Sequence, residues 1–210
     1  DLEAAEERYD QALDIRESYP PAIEAKVKVL LLQNKYSRAG KIIDDAIEEH
    51  PSHAPFYIYN GQILIEKEKY EEAKQSLDKA LQLVDQNTDI QMMSKIYVQR
   101  GATYQKQEKF EEALEDYSKA IEQNDRNPNV FIYRGFLYYK RDNYDQAMED
   151  FKRVLELDPN NHYAQYNIGM IHYKQDNKLD ACDAFHKACE LGNKNACKMV
   201  ITKCLRGGGE

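Results

Sequence analysis

Alanine recurs along this chain at a nearly fixed interval. Ala5, Ala39, Ala73, Ala113, Ala147 and Ala181 are separated by 34, 34, 40, 34 and 34 residues. Four residues after each stands a large apolar side chain: Tyr9, Ile43, Leu77, Tyr117, Phe151 and Phe185. Three further on comes a small or β-branched one: Ala12, Ala46, Ala80, Ala120, Val154 and Ala188. Positions i, i+4 and i+7 share one face of a helix, so each set marks the buried stripe of a helix. Such a chain is confined to a stack of similar helical units, each of which buries little until it meets its neighbours.

A second ladder, Gly61, Gly101, Gly135 and Gly169, precedes four of these helices. Glycine inside a helix costs about 1 kcal/mol relative to alanine, so its return at one phase predicts the close approach of a neighbouring helix. Tyr57, Tyr97 and Phe131 lie upstream of it, and Leu64, Tyr104, Tyr138 and His172 lie downstream. Turns such as Arg141-Asp142-Asn143-Tyr144 separate the two ladders, and Pro51 and Pro159 end second helices, which proline cannot continue.

The pattern resembles the tetratricopeptide repeat family over about residues 1–195. Residues Asn129 to Pro159 carry its signature: Phe131, Gly135 and Tyr138 on the first helix, Ala147 and Phe151 on the second, and the closing Pro159. The resemblance implies an all-α fold, a right-handed α-α superhelix (solenoid) of antiparallel helix pairs. About five complete repeats are expected, with a lone N-terminal helix over 1–19 and a C-terminal capping helix over 196–206. The repeats fall at 20–53, 54–93, 94–127, 128–161 and 162–195, and a flexible tail occupies 207–210, where Gly207-Gly208-Gly209 has no helix after it.

Departures from the family pattern are local. Val27 replaces the glycine in the first complete repeat, and six extra residues lie between Leu83 and Tyr97. There Thr88-Asp89-Ile90-Gln91 reads as a capping box with Thr88 as the cap. The following helix should begin near Asp89 and run one to two turns longer than its siblings. The chain opens on a second helix, Leu2 to Arg16, so it is expected to be a fragment of a longer array. Its raw end would expose Leu2, Ala5, Tyr9, Ala12 or Leu13 and could self-associate.

All four cysteines fall within residues 182–204. Cys182 and Cys189 are seven residues, or two turns, apart on one helix, and Cys197 and Cys204 are seven apart on the next. The first expectation is reduced thiols in the core. The alternative is one or two disulfides stacked between antiparallel helices, which would imply an oxidising compartment. A single zinc site needs every sulfur at about 2.3 Å from the metal, which this spacing forbids. The turn Leu191-Gly192-Asn193 resembles Sel1-like repeats, and bacterial repeat proteins more than animal ones. In a cysteine-rich secreted branch of that family, two cysteines at the Cys189/Cys197 spacing bridge adjoining helices. The compartment stays open: cytoplasmic with thiols, periplasmic or exported with disulfides.

Chemistry is not evident. His50, His53, His162, His172 and His186 do not converge, and the His50/His53 pair has no third ligand nearby in sequence. No phosphate-binding loop, dinucleotide fingerprint or nucleophile elbow occurs. Glu71-Glu72 and Glu111-Glu112 sit in the first turn of helices, where they favour the dipole. The reading is therefore of no enzyme, no cofactor, no metal and no small-molecule substrate. A net charge of −8 without a dense Lys/Arg cluster argues against nucleic acid. No apolar run approaches the roughly 18 residues of a membrane span.

The resemblance places binding on the concave face, lined by first-helix side chains. These give a candidate groove of Tyr59, Gln99, Tyr133, Phe136, Tyr139, Tyr163, Tyr166, Asn167, Met170 and Tyr173. Lys106, Lys140 and Lys174 recur every 34 residues beside it and could meet acidic groups. The expected function is a protein–protein interaction scaffold holding a peptide segment or partner helix. The alternatives are a regulatory or targeting piece of a larger multi-domain enzyme, or a self-assembling array. A chaperone-type carboxylate clamp is not expected: its places hold Glu24, Lys28, Tyr59, Lys95 and Gln99, of which only Lys95 fits.

Overall fold

Helices alternate with short turns along the whole computed structural model, which describes residues 2–85 and 89–205. They are α1 (Leu2–Ile15), α2 (Pro20–Leu32), α3 (Tyr36–Glu49), α4 (Ala54–Glu66), α5 (Tyr70–Leu83) and α6 (Ile90–Lys106). Beyond these lie α7 (Phe110–Gln123), α8 (Pro128–Lys140), α9 (Tyr144–Leu157), α10 (His162–Lys174), α11 (Lys178–Glu190) and α12 (Lys194–Met199). Val200–Cys204 continues α12 as a π-helical turn. The described residues contain no strand. The chain divides within α7 into two units, residues 1–116 and 117–210.

In chain order α2, α4, α6, α8 and α10 are first helices and α3, α5, α7, α9 and α11 second helices; within the units α2 packs on α3, α4 on α5, α8 on α9 and α10 on α11. First helices begin where proline or an Asx cap starts them. Proline occupies the first turn of α2, α4 and α8, where its missing N–H costs nothing. Asn127, Asn161 and Asn193 cap α8, α10 and α12 by accepting backbone N–H bonds from Asn129, Ala164 and Ala196. Asp89 caps α6, accepting from Met92 N at 3.0 Å. The expected Thr88 cap lies outside the described residues, as does the tail over 207–210. α6 has 17 residues against 13 in α4 and α8, an extension of about one turn.

The turn between the helices of a pair is the same in every repeat. Asn34, Glu68, Glu108, Asp142 and Asp176 adopt φ of 58° to 60°. The N–H of the next residue reaches back five positions, as in Lys35→Leu30 and Asn143→Tyr138, both at 2.9 Å. This is a Schellman closure, which satisfies carbonyls that the helix end leaves free.

The glycine ladder has the expected cause. A Cβ on Gly61 would lie 2.7 Å from Leu77 Cγ, and one on Gly169 would lie 2.7 Å from Phe185 Cδ1. Gly135 abuts Asp150 and Phe151 in the same way. The alanine ladder is buried throughout the complete repeats: Ala39, Ala73, Ala113, Ala147 and Ala181 have no exposed surface. In the first unit Val27, Leu30, Ile43 and Phe56 form one core cluster, and Ile58, Leu77, Ala80 and Ile96 another. In the second unit the core is built on Phe131, Phe151, Val154 and Ile171, then on Ala181, Phe185 and Val200.

Candidate functional site

In the second unit, α8, α10 and the turn before α12 enclose a cleft of about 710 Å³. Tyr133 and Phe136 of α8 line it from one side and Tyr163, Tyr166 and Asn167 of α10 from the other. Tyr133 remains 41% exposed and Tyr163 58%, unusually open for aromatic side chains on a first helix. Tyr133 leans on the buried Tyr117, with ring centroids 5.8 Å apart, and Tyr163 stacks on His162 at 4.1 Å. Asn167 donates to the Tyr163 carbonyl at 2.7 Å, which fixes the orientation of its amide.

The remaining wall is the α11–α12 turn, with Gly192, Asn193, Lys194 and Asn195. Asn193 is buried and anchors this wall twice: its Oδ1 caps Ala196 N at 3.0 Å, and its Nδ2 donates to the His162 carbonyl at 3.3 Å. The sulfurs on either side of the turn are joined as Cys189–Cys197, and the helix ends beyond as Cys182–Cys204. Reduced core thiols, the first sequence expectation, are therefore not what the structure holds. The antiparallel course of α11 and α12 brings each pair level, with Cα atoms 4.7 and 5.7 Å apart.

Other expected groove residues do not line this cleft. Tyr139 packs on Tyr144 with ring centroids 5.9 Å apart, and burial raises its phenol pKa. Met170 and Tyr173 pack against the Ala181–Phe185–Val200 cluster, and Lys203 lies 5.7 Å over the Tyr173 ring. Tyr166 serves both roles, lining the cleft while its ring meets Phe185 at 5.9 Å. Lys140 folds over Phe136 at 5.4 Å. Lys106, Lys140 and Lys174 are each the last residue of a first helix, where a cation also favours the dipole.

The first unit carries its own smaller cleft of about 260 Å³, lined by Lys28, Tyr36, Tyr59, Gln62 and Lys95 among others. Lys95 Nζ sits 4.9 Å over the Tyr59 ring. Burial lowers the Lys95 pKa and raises that of Tyr59. Gln99 does not line this cleft, and its buried Oε1 has no hydrogen-bond partner among the described residues. His50 Nε2 donates to the Ser18 carbonyl at 3.0 Å and His53 pairs with Glu24 at 2.8 Å, so the two rings are engaged in different contacts.

Sequence reading missed a further recurring set. Arg100 donates two bonds to Asp116 at 2.7 and 2.8 Å, and Arg134 two to Asp150 at 3.0 and 2.7 Å. Both carboxylates are almost fully buried. Arg100 also reaches Asp78 at 2.6 Å, and Arg134 reaches Ser118 at 3.1 Å. The common spacing of 16 residues, Arg before the glycine and Asp before the second-helix aromatic, was a usable signal. His162 and the Gly192–Asn195 wall were missed because nothing local marks a turn as facing the next first helix.

Tetratricopeptide repeat family models match residues 61–85, 94–127, 128–161 and 163–191, more than half of the chain. The chain belongs to the tetratricopeptide repeat family. Solved structures agree on the fold. The chain is similar to pilF of Pseudomonas aeruginosa at 20% identity and TM-score 0.79, covering 95% of this chain and 89% of that one. It is similar to YrrB, described as a TPR protein with an unusual peptide-binding site, at 24% identity and TM-score 0.68, covering 94% and 99%. MamA aligns at 18% identity and TM-score 0.68, over 80% and 95%. No curated protein matches the sequence. All-α helical repeats of this family form protein–protein interaction scaffolds, and this chain is one. No helix among the described residues is long and apolar enough to cross a membrane.

Proposed function

We propose that the second unit binds an extended peptide segment or a partner helix in the tyrosine cleft. The observation that carries this reading is the exposure of Tyr133 and Tyr163 on facing walls of one 710 Å³ cleft, with Phe136 and Tyr166 behind them. Tyrosine offers a large contact area at low rotamer cost and keeps a hydroxyl for hydrogen bonding. Asn167 and Asn195 supply further polar contacts within the cleft. Lys140 and Lys174 at the helix ends, with Lys194 on the wall, would favour acidic groups on the ligand. The similar YrrB, described by its peptide-binding site, is consistent with this use of the fold.

The disulfides extend the proposal to a compartment. Paired cysteines persist in oxidising surroundings and are rare in a reducing cytosol, so we assign the chain to an exported or periplasmic setting. Thiol trapping in intact cells should leave all four cysteines unlabelled; labelling of all four would remove this assignment.

The groove is tested by selecting peptides from a displayed library on the whole chain and measuring their affinity for variants. Tyr133→Ala and Tyr163→Ala should each weaken binding at least about tenfold while leaving the melting temperature nearly unchanged, because both rings are partly in solvent. Tyr166→Ala should weaken binding and also lower the melting temperature, since its ring rests on Phe185. Selected peptides that bind the Tyr133→Ala/Tyr163→Ala protein as tightly as the wild type would refute the groove.

A further inference from the structure

Asp78 in α5 is held by two cations. Lys74, one turn earlier, bonds it at 2.6 Å, and Arg100 from α6 donates to its other oxygen at 2.6 Å. Arg100 in turn forks onto Asp116. One repeat earlier, 34 residues back, the place of Asp78 is Asp44 in α3. There the carboxylate is kept and both cations are gone. Gly40 stands where Lys74 stands, and Asn60 stands at the place of Arg100, directly before the repeat glycine. Ser76 takes the place of Asp116 and spends its hydroxyl on the Tyr57 carbonyl at 3.0 Å.

The shortened side chains leave a cleft of about 820 Å³ between α3, α4 and α5, lined by Gly40, Asp44, Glu48, Asn60 and Ser76 among others. Among the described residues neither Asp44 nor Glu48 has an ion pair or hydrogen bond through its side chain. Three lysines, Lys67, Lys69 and Lys79, also line the cleft, and among the described residues none of them pairs with Asp44 or Glu48. Lys69 is engaged with Glu72 at 3.0 Å. Lys67 extends its Nζ to within 3.0 Å of where a Cβ on Gly40 would stand, but makes no ion pair with Asp44.

We propose that this cleft receives an arginine side chain from a partner protein, whose guanidinium takes the place that Arg100 fills from within in the next repeat. Arginine fits better than lysine because its planar fork can meet a carboxylate and a neighbouring amide oxygen together. Asp44 supplies the carboxylate, Asn60 the amide oxygen, and Glu48, one turn further along α3, a second acidic group. The site lies wholly in the first unit and does not depend on the tyrosine cleft.

The test is a titration of the isotopically labelled full chain with N-acetyl-arginine amide at constant ionic strength, followed by backbone amide shifts. N-acetyl-lysine amide serves as the control. Saturable shifts at Gly40, Asp44, Asn60 and Ser76 in the millimolar range are expected. They should weaken at least about tenfold in Asp44→Asn, a change at an exposed position that leaves folding intact. They should vanish in Asn60→Arg/Ser76→Asp, which refills the cleft from within. Absence of saturable shifts, an equal response to the lysine amide, or unchanged affinity in Asp44→Asn would each overturn the proposal. So would concentration-dependent shifts without any probe, which would mark a second copy as the occupant.

Discussion

The fourth and fifth repeats share a first helix of 13 residues and close on the same glycine, but they are tied by different bonds. In the fourth, Arg134 forks onto the buried Asp150 and also reaches Ser118. In the fifth, the corresponding places are Ile168 and Ala184, both buried and apolar. There α11 is joined covalently to α12 through Cys189–Cys197 and to the π-helical turn through Cys182–Cys204. The fold therefore does not need the ion pair. A buried pair gives back to desolvation much of what it gains, and its importance emerges when one partner is removed.

The comparison can be broken most directly at Asp150. Asp150→Ala alone leaves Arg134 largely buried without its carboxylate and should cost about 4 kcal/mol in a urea melt. Arg134→Ile/Asp150→Ala, which copies the fifth repeat, should fall within about 1 kcal/mol of the wild type. Equal losses in both would show that the two repeats are not interchangeable solutions.

Next in size is the loss of the Cys182–Cys204 bond, which closes a sequence separation of 22. Cys182→Ser/Cys204→Ser should lower stability by about 3 kcal/mol through the greater freedom of the unfolded chain. Amide exchange should rise in α12 and the π-helical turn while α8 and α9 keep their protection. Rises spread evenly over all four segments would deny the fifth repeat its separate means of support.

A smaller gain is expected at the Schellman turns. Glu68 and Glu108 hold φ of 58° and 59°, where a Cβ is unfavourable, whereas Asn34, Asp142 and Asp176 tolerate it better. Glu68→Gly should stabilise by about 1 kcal/mol, and Asp142→Gly by less, in parallel thermal melts.

The smallest effect is on acid sensitivity, where the second and fourth repeats should differ in sign. Burial would lift the Asp78 carboxyl, but hydrogen bonds from Lys74 and Arg100 outweigh it and hold it below the ordinary range. Its stabilising contribution is full above the unfolded value of about 3.9 and is lost as pH falls through the lower folded value. For Asp150, burial outweighs Arg134 and raises the carboxyl. Its contribution is present below the unfolded value and is lost as pH rises through the folded one. Asp78→Asn should therefore flatten the acid limb of a stability profile, and Asp150→Asn should not.

Much of the architecture was legible because it repeats. Ala113, Ala147 and Ala181 could be placed in the core from their interval alone, and Gly61 and Gly169 announced close packing that Leu77 and Phe185 supply. The extra length before Tyr97 was visible, although Asp89 is the residue seen to cap α6. The candidate site was legible only in part. Tyr133, Phe136, Tyr163, Tyr166 and Asn167 share a first-helix phase and meet in one cleft, whereas Tyr139 and Tyr173 share the aromatic character but turn towards packed neighbours. Helical phase indicates which side a residue faces; how far its neighbour stands away depends on side chains in another repeat. The state of the cysteines was left to geometry that spacing alone does not decide.

The Cys189–Cys197 bond has a consequence beyond holding two helices. Its sequence separation is only 8, and Gly192, Asn193, Lys194 and Asn195 lie inside the segment it closes. One wall of the tyrosine cleft is therefore a small covalent macrocycle, pinned from within by Asn193. A ring of that kind has few shapes to lose when a ligand arrives, so its contacts are set before binding and favour ligands that already match them.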